Sequence, residues 1–313
     1  MSTSAAETRR ALLAASGEQF EISAGPYRAV VTELGAGLRA LSHDGEPLIL
    51  TYDEDEIPPA AFGQLLIPWP NRVDRGRYTW DGREHVLDID EPEYDCAIHG
   101  LVRWSTWREV EHAADRVSLT TRLLASPGYP FRLDIMADYT LDADHGLTIT
   151  VTSVNHGRVA APYGHGAHPY LSVGQPIDEC TVQVPGSRYL PVDERMVPSG
   201  PPEPVEGTDY DLRDGPRLGS RQIDRAFTDI ARDEAGRAWV HLSGTDRRTS
   251  CWLDRTHPWV EVYTADDVPP EQRRQGLGVE PMTCPPNALA SGADLIRLEP
   301  GATHRGTWGI VAG

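Results

Sequence analysis

Short stretches in which apolar and polar residues alternate recur along this chain, and they constrain its fold more than any other feature. Residues 146–157, GLTITVTSVNHG, put Leu147, Ile149 and Val151 on one side and three threonines on the other. Residues 115–125, DRVSLTTRLLA, alternate in the same way. Successive side chains of a β-strand point to opposite faces, so each stretch predicts a strand with one buried face.

Glycine and proline separate these stretches. The chain has 29 glycines and 26 prolines, and apolar spacing of helical period is sustained almost nowhere in it. Two further stretches, WVEVYTAD at 259–266 and THRGTWGIVAG at 303–313, also have the strand pattern. We therefore predict an all-β fold, a large antiparallel β-sandwich.

The extent of the strand pattern along the chain predicts the domain organisation. Arg9 and Arg10 precede an apolar run that is shorter than the ~7–15 apolar residues of a secretory signal, so residues 1–15 are predicted to be a flexible tail in the cytoplasm. Residues 16–313 are predicted to form a single domain. The most linker-like segment, residues 197–216, is interpreted as a surface loop because the strand pattern resumes unchanged beyond it.

Charge and residue usage exclude several classes of function. The formal net charge of −18 would repel the phosphates of a nucleic acid. No apolar run approaches the ~20 residues that cross a bilayer. The 29 basic residues are all arginine, and without lysine the chain cannot be a Schiff-base enzyme or contain a Walker-type phosphate loop. The cysteines are widely spaced and form no CxxC pair, as expected for reduced cytosolic thiols.

The segment PYGHGAHPYL, residues 162–171, contains two histidines three positions apart. In a strand they would point to opposite faces, unless the neighbouring glycines turn the chain. Pro169 restricts His168 to an extended conformation, which gives His168 a defined direction shared with Tyr170. His168 is therefore the first candidate for chemistry.

Three other short segments contain candidate residues. Glu280, in GLGVEPMTCPPNAL, is either a structural hydrogen-bond acceptor or a general base. His99 stands beside a glycine in AIHGLVRW, and Asn71 and Arg72 follow two prolines in LLIPWPNRVDRGRYTW. Arg72 could bind a ligand hydroxyl or cap a loop. Zinc would accept His99, His168 and Glu280, but the helical HExxH spacing is missing and no metal is expected.

These segments, in this order, resemble the aldose 1-epimerase (galactose mutarotase) family. The similar blocks are PWPNRVDRGRYTWDGREHVL, IHGLVRWSTW, VNHGRVAAPYGHGAHPYL, QIDRAF and GVEPMTCPPNAL, which together span residues 18–313. The resemblance implies the mutarotase-like supersandwich fold, a free monosaccharide as substrate, and a monomer or homodimer without cofactor or metal. It further implies His168 as general acid and Glu280 as general base.

The remaining roles also come from the resemblance. It implies that the sugar hydroxyls are bound by the side chains of Asn71, Arg72, His99 and Asp224. The family pattern is changed at Leu101, Leu171, Ser172 and Met282, all in the blocks that surround the sugar, so the sugar itself is not specified.

The reaction suits these residue types on chemical grounds. A base removes the proton of the C1 hydroxyl, an acid protonates the ring oxygen, the ring opens to an aldehyde and C1 rotates before the ring recloses. A carboxylate and an imidazolium of ordinary pKa, ~6.5, suffice for both transfers. Trp69, Trp104 or Trp259 could stack on the sugar ring, although tryptophans in a sandwich more often pack in its core.

Other functions stay open at this point. A glycoside hydrolase would need two acidic residues, which Glu280 and Asp224 could supply. A non-catalytic sugar-binding protein would keep the pocket without turnover. An epimerase for a hexose 6-phosphate would need several arginines in the pocket, and Arg72 and Arg75 are close in sequence.

Overall fold

A computed structural model describes residues 14–313 of the chain. The predicted flexible tail therefore lies, over residues 1–13, outside the described residues. Ala15, at its end, donates its backbone N–H to Asp55 Oδ1 at 3.0 Å.

The regular secondary structure of the described chain consists almost entirely of β-strands, as predicted from its alternating pattern. In chain order they are β1 (Gln19–Ala24), β2 (Tyr27–Thr32), β3 (Leu38–His43), β4 (Glu46–Pro47), β5 (Leu65–Leu66), β6 (Arg72–Asp74), β7 (Arg77–Trp80), β8 (Arg83–Val86), β9 (Cys96–Ile98), β10 (Arg108–Ala113), β11 (Arg116–Leu123), β12 (Leu133–Asp142), β13 (Gly146–Asn155), β14 (Ala161–Tyr163), β15 (Gly166–Ala167), β16 (Tyr170–Leu171), β17 (Thr181–Gln183), β18 (Gly186–Tyr189), β19 (Glu203–Pro204), β20 (Asp224–Ile230), β21 (Ala238–Ser243), β22 (Arg248–Leu253), β23 (Trp259–Tyr263), β24 (Leu277–Met282), β25 (Ile296–Leu298) and β26 (Thr303–Ala312). One α-helical turn, α1, spans Ala288–Ser291, and short 3₁₀ turns span Pro59–Ala61 and Ile177–Glu179.

Two large antiparallel sheets form the body of the molecule. The first has the strand order β10-β11-β12-β13-β26-β22-β21-β17. The second has the order β19-β18-β20-β23-β24-β15-β5, with β16 also paired to β24. A four-stranded sheet, β1 to β4, and three two-stranded pairs, β6-β9, β7-β8 and β14-β25, complete the fold.

The alternation read from the sequence sets which face of each sheet is buried. On β13, Leu147, Ile149 and Val151 are fully buried, as predicted. They belong to the same continuous apolar cluster as Val260 of β23 and Val279 of β24, so the core joins residues of both large sheets. Full burial of such side chains contributes about 1.5–3 kcal/mol each to the hydrophobic stabilisation of this sandwich.

The Pro-rich segment 197–216 connects two strands of one sheet. It runs from β18 to β20, which pair with each other, and it contributes β19 to the edge beside β18. Val205 and Leu212 of this segment are buried in the main core. Across the described residues, no helix combines the length and the apolar character needed to cross a membrane.

Candidate active site

A polar cleft of about 420 Å³ lies against the second large sheet. Its volume is in the range of small-molecule sites. The structure brings all of the sequence-predicted site residues to the lining of this cleft, namely Asn71, Arg72, His99, His168, Asp224 and Glu280.

His168 and Glu280 are in direct contact in this cleft. His168 lies between β15 and β16, where its backbone N–H donates to Gln64 O at 3.0 Å and its carbonyl accepts from Gly63 N–H at 2.9 Å. These two bonds anchor the backbone of His168 to that of Gly63 and Gln64, and its ring lies against Glu280 of β24. The His168 Nε2 to Glu280 Oε1 distance is 3.2 Å, and both side chains are buried.

Burial shifts the acid–base properties of this pair. Loss of solvation lowers the pKa of His168 to about 3, well below the ordinary imidazole pKa expected from the sequence. Loss of solvation, with the nearby charge of Asp224, raises the pKa of Glu280 well above its usual range. The uncharged imidazole and the protonated carboxyl are both favoured, so the pair holds one proton between its two members.

One polar atom of each partner has no hydrogen-bond partner in the described part of the chain. These atoms are His168 Nδ1 and Glu280 Oε2, and both are buried. Buried polar atoms are nearly always paired in folded proteins, and unpaired ones at a cleft are available to a ligand. The site therefore has unsatisfied hydrogen-bonding capacity at its two proton-transfer candidates.

Asn71 and His99 form a second pair, and both have left-handed backbone conformations, with φ of 54° and 61°. The Asn71 N–H donates to His99 Nδ1 at 3.2 Å, and the His99 N–H donates to the Asn71 carbonyl at 3.0 Å. Because Nδ1 accepts a hydrogen bond, the neutral ring must carry its proton on Nε2. His99 is thus a hydrogen-bond donor, and its ring lies 5.3 Å from that of His168, centroid to centroid.

The donor atoms of His99, His168 and Glu280 lie within 4.8 Å of one another, as the ligands of a metal ion would. A metal ligand must offer a lone pair, however, and the tautomer of His99 places a hydrogen on Nε2. The arrangement of His99 therefore suits a hydrogen-bond acceptor, such as a hydroxyl oxygen, better than a metal ion.

Arg72 is held at the cleft wall by Glu91 and Tyr94, two residues that were not among the candidates from the sequence. Its Nε and Nη2 donate to both oxygens of Glu91, at 2.7 and 2.8 Å, and its guanidinium lies 4.8 Å from the centre of the Tyr94 ring. A bidentate pair of this kind fixes the orientation of the arginine. In the sequence, Glu91 and Tyr94 occur in an acidic stretch typical of an exposed loop, so only their proximity in space reveals them.

Three tyrosines line the cleft in the described part of the chain. Tyr170 stacks on His168 with centroids 4.9 Å apart, as their shared direction in the sequence indicated, and Tyr94, Tyr170 and Tyr263 line the cleft. The three tryptophans considered for stacking lie elsewhere: Trp69 and Trp259 are buried in apolar clusters, and Trp104 is 52% exposed outside the cleft lining. Of the two alternatives given for these residues, packing in the core is confirmed for Trp69 and Trp259.

His165 is absent from the cleft lining and lies on the other side of its segment. Its Nε2 is 3.1 Å from His257 Nε2, and its Nδ1 is 3.1 Å from the Tyr163 hydroxyl. Gly306 of β26 packs directly against the ring, which is completely buried. The prediction that His165 and His168 point in opposite directions is confirmed.

The profile of the aldose 1-epimerase family matches residues 18–310 of the chain. The chain is 38% identical over 292 residues to the uncharacterised protein YihR of Escherichia coli K12, covering 93% of this chain and 92% of YihR. It is 33% identical over 230 residues to human galactose mutarotase, covering 66% of this chain and 62% of the human protein.

Solved structures with the same fold are more distant in sequence. A C. elegans aldose epimerase homologue superposes with a TM-score of 0.84 at 18% identity, covering 95% of this chain and 98% of the other. The galactose 1-epimerase of Lactobacillus acidophilus gives a TM-score of 0.79 at 22% identity, covering 93% of each chain. At these identities the likeness establishes the supersandwich fold alone.

Proposed function

Because the chain belongs to the aldose 1-epimerase family, we propose that it interconverts the α and β anomers of a free aldose by opening and closing the sugar ring. The observation that carries this proposal is the buried contact between His168 Nε2 and Glu280 Oε1, 3.2 Å apart at the cleft. The two oxygens that exchange protons in the reaction are bonded to one carbon, so their catalysts must be neighbours.

Glu280 is the base and His168 the acid in this proposal. The carboxylate of Glu280 takes the proton of the C1 hydroxyl as the imidazolium of His168 gives its proton to the ring oxygen. The bond between C1 and the ring oxygen breaks, its electron pair stays on the ring oxygen, and C1 becomes an aldehyde carbon. After rotation about the bond from C1 to C2, the reverse transfers close the ring on the other face.

The proton count of the pair is the same before and after each step. During ring opening His168 gives its proton to the ring oxygen and Glu280 takes the proton of the C1 hydroxyl, so the pair still holds one proton. Ring closure reverses both transfers. Because burial lowers the pKa of His168 and raises that of Glu280, the resting pair holds this proton on Glu280, and the proton passes to His168 across the 3.2 Å contact before ring opening begins. The pair therefore needs no proton from outside the cleft during turnover.

The other residues of the cleft bind hydroxyl groups. His99 donates a hydrogen bond through Nε2–H, and the Asp224 carboxylate accepts hydrogen bonds from hydroxyl groups. Arg72 is kept in place by Glu91 and donates through the part of its guanidinium that Glu91 leaves free. Mixed donors and acceptors of this kind suit the hydroxyls of a monosaccharide.

The charge of the cleft favours a neutral sugar over a sugar phosphate. Six carboxylate residues line it, namely Asp90, Glu91, Glu93, Asp224, Asp267 and Glu280, and only two arginines, Arg72 and Arg103. Both arginines are already paired, with Glu91 and Asp90 respectively. Arg75, considered above as a phosphate ligand, is exposed, pairs with Asp95 at 3.7 Å and is absent from the cleft lining.

The test is the rate of anomerisation of fresh α-anomers, followed by polarimetry or by NMR of the anomeric protons. The panel contains glucose, galactose, xylose, arabinose and a hexose 6-phosphate. We expect acceleration of at least one neutral sugar over buffer and none of the phosphate. Protein that accelerates no member of the panel would contradict the proposal, and release of reducing sugar from a glycoside would indicate a hydrolase instead.

A further inference from the structure

Three acidic side chains form a row across neighbouring strands behind the cleft. In the register of the sheet, Glu261 of β23 lies opposite Glu280 of β24 on one side and opposite Ala226 of β20 on the other. Asp224 is two residues from Ala226, so its side chain is on the same face of the sheet. Glu261 thus stands between Asp224 and Glu280, and it is 3% exposed.

Glu261 is not part of the cleft lining, although both of its acidic neighbours are. The register of β20 and β23 brings its carboxyl beside that of Asp224, and each group acts on the pKa of the other. Two carboxylates both accept hydrogen bonds and repel each other, so a close approach requires a proton on one of them. The Asn71 side-chain amide faces Glu261 Oε2 at 3.5 Å, which leaves the other oxygen to carry that proton.

Burial places the proton on Glu261. Glu261 is 3% exposed and outside the cleft lining, whereas Asp224 lines the cleft and is only partly buried, so Glu261 is the carboxyl with less access to water. Burial, with the charge of Asp224, raises the pKa of Glu261 well above its usual range. The charged groups that act on Glu261 from the packed elements are Asp224, Glu280 and Arg72. Arg72 is the single cation among them, and Glu91 already holds it in a bidentate pair.

We propose that Glu261 is a positioning residue that stays protonated and donates a hydrogen bond to Asp224, which fixes the Asp224 carboxylate for a substrate hydroxyl. Its neutral state also limits the negative charge beside Glu280, so that Glu280 can serve as a base. The effects on KM that this role predicts rest on the proposed function of the cleft.

The proposal predicts a pH effect of defined sign. As the pH rises, Glu261 loses its proton, Asp224 loses its hydrogen-bond donor and the row gains a charge. The KM of the parent protein should therefore rise on the alkaline side. In Glu261→Gln the amide donates to Asp224 at every pH, so this alkaline rise in KM should disappear.

The experiment compares Glu261→Gln and Glu261→Leu with the parent, and uses Glu109→Gln on the exposed strand β10 as the matched control. Leucine is of similar size and donates nothing, so we expect its KM to rise about tenfold or more, the effect of losing a hydrogen bond to a charged group. Glutamine should recover most of that loss. Equal losses in both variants, or no change in KM or pH profile in either, would overturn the proposal.

Infrared difference spectroscopy of the unliganded protein tests the protonation state without any turnover. The parent at pH 7 minus Glu261→Gln should contain the C=O stretch of a protonated carboxyl, and parent minus Glu109→Gln should contain only a carboxylate band. A carboxylate band at Glu261 would overturn the proposal even if Glu261→Leu does not fold. If the parent accelerates no sugar, the proposed function fails while the spectrum still decides the state of Glu261.

Discussion

His165 and His168 belong to one segment, yet they lie on opposite sides of the second large sheet. The ring of His165 is completely buried against His257 and Gly306, whereas His168 contacts Glu280 in the cleft. One histidine therefore belongs to the interior of the sandwich and the other to the site of the proposed reaction.

Replacement of these two histidines should have unequal effects. We expect His168→Asn, and Glu280→Gln as its counterpart, to lower turnover by about 10²–10⁴-fold, the contribution typical of a proton-transfer group. His165→Asn should leave the turnover of folded protein close to that of the parent. The measurements are anomerisation kinetics, with circular dichroism to confirm folding. A folded His168→Asn protein of normal activity would exclude His168 as the acid.

Acid should destabilise the protein through the partly buried histidine His304. His304 packs against the rings of Tyr163 and His165, and burial, followed by the charge of His257, lowers its pKa to about 4. Its folded pKa is below the ordinary value of 6.5, so the unfolded chain binds a proton first, and stability is lost as the pH falls from 6.5 toward 4.

The variant His304→Phe isolates this effect, because it keeps an aromatic ring and removes the titration. The buried carboxyls, whose pKa is raised, act in the opposite sense in both proteins and cancel in the comparison. We expect the urea midpoint of His304→Phe to fall less than that of the parent between pH 7 and pH 5. An identical fall in both proteins would contradict the assignment.

Arg72 and Asp224 should act on binding more than on the chemical step. Neither transfers a proton in the proposed mechanism, so Arg72→Ala and Asp224→Ala should raise KM by about 10–100-fold through loss of charged hydrogen bonds, with a smaller change in kcat. Arg75→Ala, which removes an exposed guanidinium outside the cleft lining, is the matched control. Saturation curves that coincide for all three variants would remove Arg72 and Asp224 from the binding site.

Turnover should not depend on a metal ion. His99 donates from Nε2 because Asn71 occupies its Nδ1, so the trio of His99, His168 and Glu280 lacks one of the lone pairs that a metal needs. We expect the same anomerisation rate before and after dialysis against a chelator, and no gain on adding zinc. Loss of activity on chelation, restored by zinc, would show that His99 adopts the other tautomer.

The sequence predicts most of the fold because alternation is a local property. The pattern of residues 146–157 is reproduced as β13, with its apolar side in the core. Prolines and glycines beside Asn71, His99 and His168 indicate fixed backbone turns, which is why the sequence singles out these residues. Asp224 has no such local signal and is identified through the family resemblance alone.

The residues that surround them could not be predicted in this way. Glu261 lies in a strand whose neighbours are buried on both faces, and only its pairing with β20 and β24 brings it beside Asp224 and Glu280. Glu91 reaches Arg72 because an acidic stretch folds back onto the cleft, which depends on tertiary packing. Local spacing contains no information on either contact.

The left-handed backbone of Asn71 and His99 has a consequence for efforts to make this protein more heat-resistant. Non-glycine residues in that conformation store strain of about 1–3 kcal/mol each, which glycine would relieve. A selection for thermal stability alone would thus favour glycine at both positions and discard two side chains that line the cleft. Libraries screened for heat resistance should therefore hold these two positions constant, or score sugar turnover in the same round.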